Sequence, residues 1–178
     1  MPQTFTPTVV VQQSENPTQE IGWLSSPTAN IGNLLQSVWR TERDLTHFAN
    51  PATGDLRSRT QSLVCTNFNI SDLPEVITGI QVNISAQRGG RVVDEVIQLT
   101  YQDSVMGKNK VNYMTDSEGH LPITNESVYG GPTDLWAVEL TPDMLRDPSF
   151  GVSLKFQSHP YYPHRCGMML YAVSLTVY

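Results

Sequence analysis

The sequence is short of charge. Asp, Glu, Lys and Arg make up 16% of its 178 residues, with 11 Lys plus Arg against 17 Asp plus Glu and a net charge of −6. Its polar character comes instead from Ser, Thr, Asn and Gln, which suit β-rich surfaces, whereas long helical faces need Glu, Lys and Arg. An acidic chain without a basic run is poorly built to neutralise a phosphate backbone, so no specific nucleic-acid partner is expected. Cysteine is scarce as well. Cys65 and Cys166 are far apart and form no Cys-x-x-Cys pair, which excludes a zinc ribbon or a thioredoxin-type motif. They read as two free, partly buried thiols in a reducing cytosol, or else as a disulfide closing the fold. No stretch approaches the ~18 apolar residues of a membrane helix, and Met1–Gln13 lacks the basic start and apolar core of a secretory signal. No membrane partner is expected, and synthesis is expected in the cytoplasm.

Patterns that carry chemistry are missing too. There is no Gly-x-Ser-x-Gly elbow, and Cys166 near His164 is no nucleophile–base pair on spacing alone. His159, His164 and Cys166 have metal-ligating side chains, but His-x4-His-x-Cys matches no common zinc signature and no fourth ligand is evident. His47 and His120 sit in polar surroundings and read as solvated loop residues. Asp143 and Asp147 lack the regular acidic ladder of a calcium loop. The carboxylates of Asp94, Glu95, Asp134, Asp143 and Asp147 each suit a local cap or turn. Asn-x-Ser triplets occur at Asn69, Asn83 and Asn125, the first two as wet partners of apolar residues on expected strands. No enzyme, metal or cofactor is expected.

What is present is alternation. Ile80, Val82, Ile84 and Ala86 alternate with Gln81, Asn83, Ser85 and Gln87, a period of two with one dry face and one wet face. Gly89-Gly90 supplies a tight reversal, after which Val93, Glu95, Ile97, Leu99 and Tyr101 run back. Val64, Thr66, Phe68 and Ile70 alternate upstream. Weaker strands are read at Lys110–Met114 and at Leu135–Leu140, the latter with Trp136, Val138 and Leu140 on one face. Phe150, Val152, Leu154 and Phe156 alternate again, as do Tyr171, Val173, Leu175 and Val177. Thr141-Pro142-Asp143 has the form of a helix start, with a hydroxyl cap, proline at the first position and an acid in the first turn.

These signals predict an all-β, antiparallel β-sandwich of jelly-roll-like order, as one domain over residues 22–178 with 22–60 irregular. Asn30–Trp39 has some helical spacing at Ile31, Leu34, Leu35 and Val38, but is taken with its neighbours as a long irregular first strand plus loops. Residues 1–21, punctuated by Pro2, Pro7 and Pro17, read as an extended N-terminal arm. Thr8-Val9-Val10-Val11 is its one β-prone run, expected to lie as a strand on a neighbouring subunit.

The run Tyr129-Gly130-Gly131-Pro132-Thr133-Asp134-Leu135-Trp136, then Leu140-Thr141-Pro142 and Asp147-Pro148-Ser149-Phe150-Gly151-Val152, resembles a widespread family of β-sandwich proteins encoded by tailed phages, prophages and cyanophages. Phe68-Asn69-Ile70, Leu73-Pro74, Ile80-Gln81-Val82, Asp94 to Leu99 and Val173 to Tyr178 fit it also. Residues 22–60 match poorly. The resemblance implies a virion location, no catalytic residues, and a structural role in the head decoration, neck, tail or baseplate. Its implied partners are copies of the same chain and other virion structural proteins, with a host glycan ranking behind these. Trp136 has the bulk for an inter-sheet core.

Tyr161, Tyr162 and His159 share one Pro-bounded loop. They suit packing over the end of the sandwich, a protein interface, or stacking on a sugar ring. With Val9, Val10 and Val11 they make up the expected interface residues. The rival function is a receptor- or carbohydrate-binding module of the phage tail.

Overall fold

A computed structural model describes residues 2–13, 20–21, 37–40, 59–89, 92–111, 126–158 and 167–178. They contain strands β1 (Gln3–Phe5), β2 (Val9–Gln13), β3 (Glu20–Ile21), β4 (Ser37–Arg40), β5 (Arg59–Thr60) and β6 (Ser62–Thr66). After these come β7 (Ile80–Gly89), β8 (Val92–Tyr101), β9 (Ser104–Met106), β10 (Glu126–Gly130), the short helix α1 (Pro142–Arg146), β11 (Gly151–Ser158) and β12 (Gly167–Val177).

The strands form two sheets. In the first, β12 lies between β7 and the pair β4 and β1, and β10 lies beyond β7. In the second, β11 is flanked by β8 on one side and by β6 and β5 on the other. β2 pairs with β6, β9 with β8, and the short β3 runs parallel to β5. The orders β4-β12-β7-β10 and β6-β11-β8-β9, with the chain crossing repeatedly between sheets, are those of a jelly roll. The sandwich reading therefore holds, with corrections of detail. The Gly89–Gly90 reversal does not close a hairpin: β7 pairs with β12 and β10, and β8 with β11 and β9, so this turn carries the chain from one sheet to the other.

Alternation works where the strand stays regular. Ile80, Val82, Ile84 and Ala86 are fully buried, as are Ile97, Leu99, Val152, Leu154 and Phe156 from the facing sheet. A bulge at Tyr171 resets the phase of β12, so that Leu170 pairs with Ala86 and Ala172 with Ser85, and both Leu170 and Val173 stay inside. Upstream the expected phase fails. Leu63 and Cys65 face the core while Val64 is only half-buried, because β6 ends at Thr66 and Asn67 takes φ 54°. That left-handed residue shifts the alternation before Phe68 and Ile70. The strand expected at Lys110–Met114 is also misplaced: the strand here is β9, Lys110 and Val111 lie in no strand, and 112–114 are outside the described residues.

Leu135–Leu140 is not a strand. Trp136 and Ala137 both have φ of 59°, which folds the segment into consecutive turns while keeping the indole inside. Trp136 is fully buried, and its Nε1 donates to the Ile80 carbonyl at 2.9 Å. The same carbonyl accepts from Gly131 N at 3.1 Å, and Ile80 N donates to the Asp134 carbonyl at 3.0 Å. A Cβ on Gly130, whose φ is +76°, would stand 2.2 Å from the Ile80 oxygen and 2.7 Å from Trp136 Nε1. Glycine at this position is required by space as well as by dihedral angle.

The helix follows its start signal: Thr141 Oγ1 accepts from Met144 N at 3.3 Å, with Pro142 at the first position and Leu145 turned to the core. Asp147 Oδ1 then accepts from both Ser149 N and Ser149 Oγ at 2.8 Å, steering the chain into β11. Because the indole carries both core volume and a buried hydrogen bond, Trp136→Ala should cost about 3–5 kcal/mol. A shift in the denaturant midpoint equivalent to less than about 1 kcal/mol would show that the ring is not a core element.

Candidate interface and a buried charge cluster

Residues 2–13 of the N-terminal segment hold two strands, and their pairing is a correction: their partners lie in their own chain. Gln3, Thr4 and Phe5 pair with Val177, Thr176 and Leu175 in the first sheet. Pro7 is buried at the crossing, and Thr8 is tied to Asn67 by N–H to carbonyl (3.1 Å), by Oγ1 to the same carbonyl (2.9 Å), and by Asn67 Nδ2 to Oγ1 (2.6 Å). Val9, Val10 and Val11 then pair with Thr66, Cys65 and Val64 in the second sheet. Three β-branched residues in a row favour a strand, and the free edge of β6 is the nearest place to put one.

The three valines part company there. Val10 turns inward and packs against the core, so it is not an interface residue of the folded chain. Val9 and Val11 face outward at 41% and 48% exposure. Among the described residues β2 is the terminal strand of its sheet on this side. Tyr161, Tyr162 and His159 lie outside the described residues, as do His164, Cys166, His47 and His120. Among the described residues no three His, Cys, Asp or Glu side chains come together as a metal-binding group. Cys65 is a free thiol whose pKa burial pushes up to about 12. That leaves almost no thiolate near neutral pH, and with it little nucleophilic character.

A second constellation escaped the sequence reading. Asp94 has no cap or turn role: it lies inside, between the sheets. In β8, Val96 pairs with Lys155 and Asp94 with Phe156, so Glu95 is the extra residue of a bulge. The bulge turns Asp94 to the same side as Phe156. There Asp94 Oδ1 stands 2.9 Å from Arg88 Nη2, with both side chains under 10% exposed, as an ion pair without hydrogen-bond alignment. Arg88 comes from β7 of the opposite sheet. Its Nη2 lies 3.0 Å from Ser127 Oγ, and its guanidinium lies 5.8 Å from the Phe156 ring centroid. The Tyr129 hydroxyl donates to Asp94 Oδ2. Burial, then the charge of Asp94 and its hydrogen bond, hold the Tyr129 phenol well above its ordinary pKa, with Arg88 pulling the other way. The phenol therefore stays protonated and serves as a donor.

One guanidinium, one carboxylate and one phenol thus join β7, β8 and β10 across the sandwich. The signal available in the sequence was the pair Asp94-Glu95 inside Val92–Leu99: two adjacent acids in an alternating apolar strand cannot both face water, so one of them turns inside. Asp94→Ala should cost about 3–5 kcal/mol, because it leaves Arg88 buried without its counter-charge. The triple variant Arg88→Met, Asp94→Leu, Tyr129→Phe should recover most of that loss in the same denaturant titration, since apolar replacements need no partner.

Asp134 is the half-buried counterpart. Its carboxylate accepts from Lys110 Nζ at 2.7 Å and from Trp136 N at 2.8 Å, while Lys110 Nζ lies 5.4 Å from the indole centroid. Burial works to raise its pKa, but the hydrogen bonds from Lys110 and Trp136, with the charges of Lys110 and Lys108, hold it below the usual carboxylate range. A depressed folded-state pKa contributes stability that is complete above the unfolded value of about 3.9 and is lost as pH falls through the folded value. Asp134→Asn should therefore flatten the decline in thermal midpoint below about pH 4. An acid limb identical to that of the unaltered protein would show that the Lys110 contact is screened away.

Comparison with protein-family models, with curated proteins and with solved structures gave no match.

Proposed function

We propose that this chain is a non-enzymatic structural component of a tailed-phage virion. It would be made in the host cytoplasm and assembled in many copies through its sandwich and its N-terminal edge strand. The observation that carries this reading is the exposure of Val9 and Val11, 41% and 48%, on the terminal strand β2. Strand edges with outward apolar side chains invite pairing with another chain, and free monomers commonly guard them with charge, proline or a bulge. β2 carries no charged residue, and Val105 on the opposite flank of the same sheet is 59% exposed. Assembly against a neighbouring virion protein or another copy of the chain covers such surfaces.

Two further points support the reading. Jelly rolls occur widely as capsid and lectin domains, although a fold alone does not assign a function. The Tyr-Gly-Gly-x-x-Asp-Leu-Trp run, which carries the resemblance to phage sandwich proteins, is spent on folding: its glycines, Asp134 and Trp136 pack and bond within the domain. Within a particle the role fits capsid decoration or a neck, tail or baseplate position. Cryo-EM of intact particles, or immunolabelling of them, would place the protein in head or tail, and its absence from purified particles would overturn the proposal. Val9→Lys/Val11→Lys should move the thermal midpoint by no more than about 2–4 °C, since both side chains are exposed and each surface change is usually within about 0.5 kcal/mol. The same pair should reduce incorporation into particles severalfold, by blocking the edge.

A further inference from the structure

The edge that β2 offers differs from the other open edges of the two sheets. Among the described residues β3 carries Glu20, β4 carries Arg40 and β10 carries Glu126, while β1 and β9 are three residues long. Charge and short length both discourage edge-to-edge pairing. β2 has five residues, Val9–Gln13, and none is charged. The neutrality extends past the strand: in a chain with 11 basic and 17 acidic residues, the first charged side chain is that of Glu15.

Pairing with β6 fixes which groups that edge presents. Thr8 N donates to the Asn67 carbonyl at 3.1 Å, and the register continues with Val10 opposite Cys65 and Gln12 opposite Leu63. In an antiparallel ladder alternate residues bond to the same neighbour, so Thr8, Val10 and Gln12 turn their main chain to the β6 side. Val9, Val11 and Gln13 then turn N–H and C=O to the open side. The exposed side chains of Val9 and Val11 share the outer face of the sheet.

We propose that two copies of the chain join here, β2 against β2, antiparallel about a two-fold axis at Val11. A two-fold contact sets the same patch against itself, so a charge close to the axis would meet its like. The uncharged run around Val11 meets that condition, and it gives a partner of other chemistry no charge by which to be selected. Two registers bring outward residues opposite one another. Val9 opposite the second copy's Val11 would set Gln13 against Pro7, which has no N–H to give. Val11 opposite its own mate sets Val9 against Gln13, and every outward N–H and C=O of the three residues finds a partner. That register also stacks the two Val11 side chains as a cross-strand pair. The inference rests on the reading of β2 as an assembly edge and names its partner and register. A five-residue edge falls short of the ~1,200 Å² of a standard stable interface. The pair is therefore a minor species in dilute solution and a major one at the local concentration within a particle.

A covalent trap reads a minor species, so the test is oxidative cross-linking of cysteine variants of the whole purified chain. Cα atoms of a bonded pair lie ~5.5 Å apart, within the ~4.4–6.8 Å that a disulfide spans, whereas Val9 is staggered ~13 Å from its own mate. Val11→Cys should therefore form linked dimers at least about tenfold faster than Val9→Cys. The unaltered chain, which keeps Cys65 and Cys166, sets the background. A mixture of Val9→Cys and Gln13→Cys should yield the mixed dimer. All three positions are exposed, so the variants keep the fold. Equal rates for Val11→Cys and Val9→Cys overturn the proposal. So does faster linking of Val9→Cys to Val11→Cys than of Val11→Cys to itself. If Val11→Cys does not link while Val9→Lys/Val11→Lys is still excluded from particles, the edge serves another virion protein. The pairing then falls and the structural role stands. If Val11→Cys links but the chain is absent from purified particles, the pairing stands and the virion role falls.

Discussion

One backbone carbonyl organises much of this domain. The oxygen of Ile80, at the first residue of β7, accepts from Gly131 N and from the Trp136 indole together. That pins the loop after β10 to the strand that sits between β12 and β10. The indole then fills the inter-sheet space, so the loop and the core can form only together. The chain bears two non-glycine residues at φ 59°, a conformation costing about 1–2 kcal/mol per residue. Burial of a whole indole offsets a cost of that size. The neighbouring loop is drawn into the same knot. Lys108 N donates to the Trp136 carbonyl at 2.8 Å, and Gly107 at φ +70° has no room for a side chain beside that carbonyl. Both loops close over the same ring, which is why a glycine-rich, aspartate-capped run precedes a single tryptophan.

Strands that bury one face strictly were legible in the sequence, and so was the sandwich class. Ile80–Ala86 alternates because it keeps regular pairing over several residues, whereas Phe150–Phe156 keeps the alternation of residue types although both of its faces are buried. Legibility ended where the backbone left that regularity. Leu135–Leu140 imitates a strand, since Trp136, Val138 and Leu140 are spaced by two, yet the left-handed pair at 136–137 makes the spacing accidental. Glu126–Gly130 is a true strand that alternation conceals: it is an edge strand with Val128 facing solvent and Tyr129 facing Asp94. Periodicity finds burial, not pairing, so it also could not say that β7 and β8 belong to different sheets. Of the residues expected at an interface, Val9 and Val11 face outward and Val10 packs inward, because an alternating strand cannot send three consecutive valines to one side.

The N-terminal segment shows how one stretch of chain can belong to the domain and still face outward. Crossing from the first sheet to the second through buried Pro7, it adds a strand to each. Phe5 and Val10 contribute to the core, while Val9 and Val11 are left on the surface. Extended pairing removes the cost of ordering an isolated arm, about 1–2 kcal/mol of backbone entropy per residue, before any partner arrives. A surface ordered in advance binds with less entropic loss than a disordered arm would. The same arrangement moves the unpaired edge from β6 outward to β2.

The buried Arg88–Asp94–Tyr129 cluster adds little to net stability by ordinary reckoning, because desolvating two charges nearly cancels their attraction. Its physical consequence lies in alignment. β8 reaches Asp94 in phase with Phe156 only through the bulge at Glu95. Without that extra residue, strict alternation from Ile97 and Leu99 would put Glu95 inside and Asp94 outside. Arg88 would then face a longer carboxylate on a differently placed backbone, and the Tyr129 hydroxyl would lose its acceptor. An apolar cluster tolerates such a slip, since one aliphatic side chain replaces another at modest cost. A guanidinium and a phenol that both require the same carboxylate do not. The charged cluster therefore penalises the slipped register of β8 far more than it stabilises the native one, and it does so where β7 hands the chain from one sheet to the other.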